Sequence, residues 1–558
     1  MTDFDVCIIG SGAGGGPVAF TLAQQGRSVV VLEKGPWFTE ADFYKDELAC
    51  CRRSVYTPNL KDEQHVIEEL NGEGEWAGTP TSDSGWDFWN GNCVGGSSNF
   101  MSGFFHRLKP VDFRLLSEFG PIAGANIVDW PIGYADLEPY YDKVEKVVGV
   151  SGKAESHPNI EPRSSPDFPY PPTIEHPVSA WIDEASAKLD FHSLRVPRAI
   201  LSQPAHGRRA CEYSGYCGSY GCSSGAKGGA RAALLDQAVA TGHCQIRARA
   251  KVHRLISNAQ GRVVAAEYFD HAGKRQRVSA RIFVVACQAI ETSRLLLAST
   301  GPRFPNGLAN NSGQVGQNLL FSAGGAGGGD LVYGELSEER AEQLRVMGPF
   351  VNRALDDWHV ISDPALQATR AKGGIVEFLL SHPNPIARAS GIKWGESGLV
   401  WGKPLKRQLE SRFREARRLS FEAFADWLPV NSCFVTLDRK ITDRWGDPVA
   451  RVRIGHHEHN LKIGHYLAGK AEQVLKEMGA RNISAHISSA PPPNLVAGGC
   501  RFGGDPATSV LDPDCRAYEV QNLYVSDGSF MPTGGSVPYT WTIYANAFRV
   551  ADRIAASL

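Results

Sequence analysis

Near the amino terminus, Val6-Cys7-Ile8-Ile9 is an unbroken apolar run, and Val29-Val30-Val31-Leu32 is a second. Short uninterrupted runs of this kind predict strands buried on both faces, as in a parallel sheet, because half-exposed strands alternate instead. Glycines at 10–15 break the pattern between them, and helical spacing resumes over 17–25. Strand, turn, helix, strand is therefore the predicted order from Asp5 to Gly35. Two later segments repeat the theme. Over 244–299, β-rich runs at 263–269 and 281–285 lead into a helix around 294–297; over 522–558, a strand at 523–525 precedes a helix at 543–554. These three segments read as parts of one domain interrupted by two blocks, the later of which has strand candidates at 433–437 and 449–454. No repeat interrupts this reading, and no apolar stretch reaches the roughly 18 residues of a membrane span.

The glycine turn carries the first chemistry. Gly10-Ser11-Gly12-Ala13-Gly14-Gly15 has the form G-x-G-x-x-G. Gly10 permits the tight turn, Gly12 lets backbone approach a pyrophosphate, and Gly15 allows close helix–strand packing. The helix that follows aims its first N–H groups at the phosphates. Glu33 ends the second strand, where an acid accepts hydrogen bonds from ribose hydroxyls and repels a 2′-phosphate. The reading is a Rossmann-like nucleotide-binding domain, and FAD and NAD share this turn.

Three further motifs choose between them. Asn92-Cys93-Val94-Gly95-Gly96-Ser97-Ser98, Ala289-Ile290-Glu291-Thr292-Ser293-Arg294-Leu295-Leu296 and Asn522-Leu523-Tyr524-Val525-Ser526-Asp527-Gly528-Ser529 follow the turn in order. With it, they make the chain similar over essentially its whole length to the glucose–methanol–choline (GMC) flavoprotein oxidoreductases. The pattern most resembles the flavoprotein subunits of bacterial gluconate-, fructose- and glucose-type dehydrogenases. The resemblance implies an α/β (α+β) chain: a Rossmann-like FAD-binding domain over 1–110, 244–320 and 491–558, and a β-sheet substrate cap over 111–243 and 321–490. It implies that Asn92, Gly95, Gly96 and Ser97 run along the flavin, that Val252 contacts the cofactor, and that Asp527 and Gly528 lie near its ribityl chain and ring. Asn99 and Phe100 stand where some relatives link the flavin to a histidine, so the FAD is expected to be non-covalent.

Relatives pass hydride from an alcohol carbon to flavin N5, while a histidine takes the hydroxyl proton and a second His or Asn binds the same oxygen. At those positions this chain has Leu495 and Pro538, which can do neither. Asn494 and Tyr539 are the adjacent candidates, and His486 is the nearest upstream histidine. Asn494 can hydrogen-bond but is no base, and Tyr539 needs a nearby cation to lower its pKa. His106 reads as a satisfied core histidine. The leading function is thus a dehydrogenase of an alcohol, polyol or sugar-like substrate. An oxygen-reducing oxidase and a flavin lyase or non-catalytic subunit are the alternatives that the missing pair keeps open.

Cys211, Cys217 and Cys222 lie in a glycine-rich run. The resemblance implies a possible three-iron (3Fe-4S) cluster there, with Ser214 where a further cysteine is common. A disulfide plus a free thiol, or three buried thiols, are the alternatives. The remaining nine of 12 cysteines are scattered, as expected of reduced thiols in a large chain. A net charge of -2, from 58 basic and 60 acidic residues, excludes a general nucleic-acid binder. The start, Met1-Thr2-Asp3-Phe4-Asp5, has no basic n-region, which points to the cytoplasm. Export with a signal-bearing small subunit would instead place the chain at the periplasmic face, passing electrons to a cytochrome or quinone. His456, His457, His459 and His465 have no metal-like spacing and read as part of a surface helix. The basic residues over 403–418 read as a solvated helix face, with a partner or membrane surface as the alternative. The aromatics at 86–89 and Trp541 could stack on a sugar or ring.

Overall fold

The computed structural model describes residues 2–47, 56–366, 368–381, 384–395, 398–492 and 494–558. The apolar runs at the amino terminus form the centre of a five-stranded parallel sheet. Its order is Leu523–Val525, Ala280–Val285, Phe4–Ile9, Val29–Leu32, Cys244–Arg247. Val6, Cys7, Ile8 and all of Val29–Leu32 are buried, as continuous apolar strands require when both faces are covered. The helices Gly15–Gln24 and Thr540–Ser557 pack together on the sheet, with Phe20 edge-on to Phe548 at 6.3 Å. The chain thus brings its first and last helices together beside the glycine turn. One expected neighbour goes elsewhere. Val263–Phe269 joins Lys251–Ser257 and Arg275–Val278 in a separate antiparallel sheet, because tight turns at 258–261 and 270–273 fold it onto its sequence neighbours.

A second, six-stranded sheet lies over the first domain. Its order is Arg481–His486, Ser322–Val332, Ala416–Asp426, Gly374–Leu380, Arg353–Leu355, Ser193–Arg195, and every pairing is antiparallel. Period-two alternation gives it two distinct faces. Phe421, Ala423, Val376 and Phe378 pack against Leu467 and Ala471 of the long helix Glu458–Glu477. Phe424 and Ile375 face the other way, into the core shared with the parallel sheet. The central strand Ser322–Val332 is glycine-rich because the helix lies so close: a Cβ on Gly464 would stand 2.8 Å from the Gly324 carbonyl. Val66–Leu70 and Trp76–Pro80, within the expected cofactor segment, pair with Pro448–Arg453 and Phe434–Thr442 from the later block.

Several surface expectations change. Helix Gly402–Glu410 carries the first half of the basic run, but Arg417 and Arg418 belong to the strand Ala416–Asp426, where Arg418 pairs with Asp330 at 3.1 Å. Sheet pairing over eleven residues outweighs helical spacing there. Trp541 is fully buried, stacked on Phe105 at 5.6 Å, so it cannot meet a ligand. His457 caps the helix Glu458–Glu477, its side chain accepting from the His459 N–H. No helix among the described residues is long and apolar enough to cross a membrane.

A buried ion cluster ties the cap to the last helix. Arg107 is buried between Glu145 at 2.6 Å and Glu138 at 3.1 Å, lying over the Trp541 ring, and Arg163 reaches Glu145 at 2.6 Å. Removing one partner strands the others without water. Arg107→Met is expected to cost about 3–5 kcal/mol, read as a lower midpoint in chemical denaturation; an unchanged midpoint would show that the cluster is not holding the fold.

Candidate active site

The glycine turn follows the central strand directly. Gly10 sits in the left-handed region, φ 92°, where a side chain would collide with the Ala286 carbonyl. Gly15 packs against the Gly10 carbonyl, as the tight turn requires. Gly12 differs: a Cβ there would meet no protein atom within 4 Å and would point into a cavity of about 490 Å³. That is the position where a pyrophosphate needs open backbone.

Two buried carboxylates draw the motifs together. Glu33 Oε2 accepts from the Ser11 N–H at 3.1 Å and hydroxyl at 2.6 Å, and Oε1 accepts from the Gly35 N–H at 2.9 Å. Ser11 Oγ in turn accepts from the Gly95 N–H at 2.9 Å, linking the turn to the 92–98 motif. Gly96, φ 56°, lies 3.2 Å (from a built Cβ) from Gly12 Cα. Ser97 donates to the Trp89 carbonyl at 2.8 Å and braces the same loop. Asp527 accepts from the Ser529 N–H at 2.9 Å and the Gln288 N–H at 2.9 Å, and from the Thr292 and Ser529 hydroxyls. Burial pushes both carboxyls above the usual carboxylate range, against these donors.

Gly12, Glu33, Asn92, Val252, Asp527 and Gly528 all line the cavity. Asn92 Oδ1 and Gln288 Nε2 are buried there without a hydrogen-bond partner. Unpaired polar atoms beside an open glycine turn fit a flat, polar-edged cofactor such as FAD, whose ring edges would satisfy them.

The cavity continues under the cap sheet. Asn494, Leu495, Pro538 and Tyr539 line that end, facing Phe424 and Glu422 of the strand Ala416–Asp426. Leu495 has φ 55°, a left-handed conformation costing a non-glycine residue about 1–3 kcal/mol. The Tyr539 hydroxyl donates to the Leu495 carbonyl and so holds that backbone. The hydroxyl is thus engaged by backbone, and burial with the nearby Asp426 carboxylate pushes Tyr539 up, the opposite of the lowering by a cation that a role as base requires. His486 is corrected as well. It sits exposed at the end of an edge strand, opposite Ala326, outside the residues that line the cavity. Asn494 is at the site, and its Oδ1 is buried without a partner. His106 is buried against Glu377 at 2.6 Å.

Sequence reading missed Glu422. It is half-buried, opens on the cavity, and is pushed up to about 7 by burial and by the neighbouring Glu377. The one available signal was its setting, an acid between Phe421 and Ala423 in the mostly apolar run from Leu419 to Ala425.

Cys211, Cys217 and Cys222 reach the cavity wall but do not form a ligand set. Among the described residues, no group of three or more His, Cys, Asp or Glu side chains converges to hold a metal ion. Each sulfur has its own protein contact: Cys211 with the Tyr213 N–H at 3.4 Å, Cys217 with the Ser102 carbonyl at 3.6 Å, Cys222 with the Ser224 hydroxyl at 3.4 Å. All three are free thiols packed against Ile200, Leu201 and Ala226. Burial pushes Cys211 up to about 12; at Cys222 burial acts the same way, but the Lys227 ammonium and hydrogen bonds outweigh it and lower the pKa. The three thiols nonetheless share the cavity wall, and Cys211 lies within electrostatic reach of Cys217 and Cys222.

Comparison with known proteins shows the family to which the chain belongs. Residues 175–322 and 429–547 match the amino- and carboxy-terminal family profiles described as GMC oxidoreductase. Paromamine 6′-oxidase of Streptomyces fradiae is 32% identical over 100% of this chain and 92% of that protein. The fructose dehydrogenase large subunit of Gluconobacter japonicus is 28% identical over 99% of this chain and 98% of that protein. In structure, formate oxidase of Aspergillus oryzae aligns with a TM-score of 0.65 at 16% identity, over 99% of this chain and 98% of that one, which is a likeness of fold.

A Cβ at Gly12 meets no protein atom within 4 Å, so Gly12→Val is expected to fold, to purify without flavin and to melt like flavin-stripped wild type. A yellow protein with a normal flavin spectrum would remove the nucleotide assignment. Tyr539→Phe leaves the Leu495 carbonyl unpaired and is expected to lower stability by about 1–3 kcal/mol. Its pH–rate profile should not move; a shifted profile would return the hydroxyl to proton transfer.

Proposed function

The chain belongs to the GMC oxidoreductase family, and from that premise we propose that it is an FAD-dependent dehydrogenase of CH–OH groups in alcohols, polyols or sugar-like molecules, passing electrons to an acceptor other than NAD. The observation that carries the reading is the single cavity of about 490 Å³ that runs from the glycine turn to a chamber beneath the cap sheet. When bound, FAD would supply a two-electron oxidant at the floor of that chamber.

The chain's own residues do the rest. The turn at 10–15 and the first N–H groups of helix Gly15–Gln24 bind the pyrophosphate, and Glu33 orients the adenosine ribose. The Asn92 and Gln288 side chains offer an acceptor and a donor to the ring system. The flavin is non-covalent in this reading, because Asn99 replaces a nucleophile and spends its amide on the Val94 carbonyl at 2.8 Å. Leu495, Pro538 and Phe424 form an apolar wall that excludes water beside the reacting carbon. Asn494 Oδ1 can accept a hydrogen bond from a hydroxyl of the substrate. A relative whose name marks it as a large subunit supports an accompanying subunit here, with a cytochrome or quinone as the next acceptor.

The test is anaerobic absorption spectroscopy of the purified chain with sugars, polyols and aromatic alcohols. Bleaching of the flavin band near roughly 450 nm by one class supports the reading and names the substrate class. Reoxidation by a dye or quinone, but not by NAD, supports the acceptor; rapid reoxidation by oxygen would make the chain an oxidase. A flavin that no donor bleaches would remove the redox reading.

A further inference from the structure

Leu495 and Pro538 remove the usual proton acceptor, yet alcohol oxidation still has to dispose of a hydroxyl proton. Among the described residues, five carboxyl side chains line the cavity. Four have protein partners: Glu33 takes Ser11 and Gly35, Asp527 takes Ser529, Gln288 and Thr292, Glu291 pairs with His65 and Arg294, and Glu212 pairs with Arg209. The fifth, Glu422, has no hydrogen bond or ion pair with a described residue. We infer that the Glu422 carboxylate accepts the substrate's hydroxyl proton, in place of the histidine that Leu495 displaces.

The sheet register supplies the geometry. Glu422 stands directly opposite Glu377 in the antiparallel pair of Ala416–Asp426 with Gly374–Leu380, so both side chains leave the same face. That face also carries Phe424 and Leu379, which line the cavity. Glu377 is fully buried: Oε1 meets His106 Nε2 at 2.6 Å, and Oε2 has no partner. A buried, half-satisfied carboxyl beside Glu422 disfavours a second negative charge, while the cavity leaves Glu422 open to a ligand. This combination raises a carboxyl into the range where a base works best near neutrality, in keeping with its value of about 7.

Among the described residues, the charged groups nearest the pair are already engaged. Arg198, near Glu377, donates to the Ser102 carbonyl at 2.8 Å and lies between the Phe104 and Phe350 rings. Arg417, on the Glu422 strand, donates to the Leu344 and Val346 carbonyls at 2.6 Å. The neighbouring strand Ser322–Val332 puts Ala326 opposite Glu422, and its Asp330 is held by Arg418. Asp426 is turned to the Gly535 N–H and Ser536 hydroxyl, and Tyr539 to the Leu495 carbonyl.

The assignment rests on the flavin-dependent reading above. In the step, the substrate O–H bond breaks and its proton goes to Glu422. The C–H bond breaks with its electron pair passing to the oxidised flavin, and the C=O bond forms. Glu422 then gives its proton to solvent, and the external acceptor takes the two electrons. Protonation of Glu422 blocks the first event, so the rate should rise with pH through about 7 and level off above it.

The test compares wild type, Glu422→Gln and Glu377→Gln as flavin-loaded full chains, using the donor that bleaches wild type fastest. Glu422→Gln should keep its flavin content and visible spectrum and lose about 10²–10⁴-fold in the flavin-reduction rate at saturating donor. Glu377→Gln should keep a maximal rate within about tenfold of wild type, with the acidic limb of its pH profile moved to lower pH. Infrared titration of the flavin-free proteins should show a carboxyl ionising near neutrality in wild type, absent in Glu422→Gln and moved down in Glu377→Gln. A Glu422→Gln protein that reduces flavin at the wild-type rate, or that raises only KM, would overturn the assignment and leave Glu422 as at most a substrate anchor. A wild-type flavin that no donor bleaches would instead bring down the redox reading, and this assignment with it.

Discussion

Burial of two carboxylates, Glu33 and Asp527, is the constraint on which the rest of the site depends. Each loses its water, and burial alone would neutralise it. Each is held by backbone N–H groups from segments far apart in the chain: Ser11 and Gly35 for Glu33, Gln288 and Ser529 for Asp527. Charge-assisted bonds of this kind are short, directional and stronger than neutral ones. They fix loops that contain almost no side chains and cannot fix themselves. Ser526 Oγ donates to the Gly14 carbonyl at 2.9 Å, across 512 residues of sequence, and closes the ring of motifs. A cofactor cradle made of glycine therefore owes its shape to acids standing behind it.

The cap follows a different logic. Its sheet is amphipathic in an unusual sense, because neither face is exposed at the centre. One face is apolar and seals against the helix Glu458–Glu477; the other mixes Phe424, Ile375 and Leu379 with Glu377 and Glu422. Two acids in register on a buried face are destabilising taken alone. The cost shows in the Glu377 oxygen, which is buried without a hydrogen-bond partner among the described residues.

Much of this was legible in the sequence, for reasons that differ by element. Gly10 and Gly15 announce themselves because a Cβ there would collide with neighbouring backbone, Gly12 because only bare backbone leaves the room a pyrophosphate needs, and Val29–Leu32 because a doubly buried strand must be apolar throughout. Glu33 followed from its spacing to those glycines, and Asp527 from the resemblance of the 522–529 motif to the family. What spacing cannot carry is register. Glu422 becomes chemically distinct only when it is paired with Glu377 and both are turned inward, and nothing within either strand records that pairing. The cysteine trio is harder to read. Cys211, Cys217 and Cys222 have a suggestive local pattern, but a ligand set depends on the path of the loop, which gives each thiol a contact of its own while keeping all three on the cavity wall. Arg417 and Arg418 looked helical among their basic neighbours until sheet pairing claimed them, and Trp541 looked available until Phe105 and Tyr141 enclosed it.

Moving the proton acceptor from the floor of the cavity to its roof also changes what the floor is for. Where a histidine would have needed a tuned environment, Leu495 needs only a position, and the Tyr539 hydroxyl on its carbonyl holds the backbone in a conformation that leucine would not otherwise adopt. An apolar floor keeps the dielectric low around the reacting carbon, and low dielectric amplifies every charge that remains. The remaining charge is on the cap. Glu422 and its buried neighbour feel each other because they stand directly opposite in the sheet, above the apolar lining of Leu495, Pro538 and Phe424. Replacing the polar pair of the floor and raising a carboxyl on the roof are then two parts of one arrangement, since the first creates the medium in which the second becomes a base.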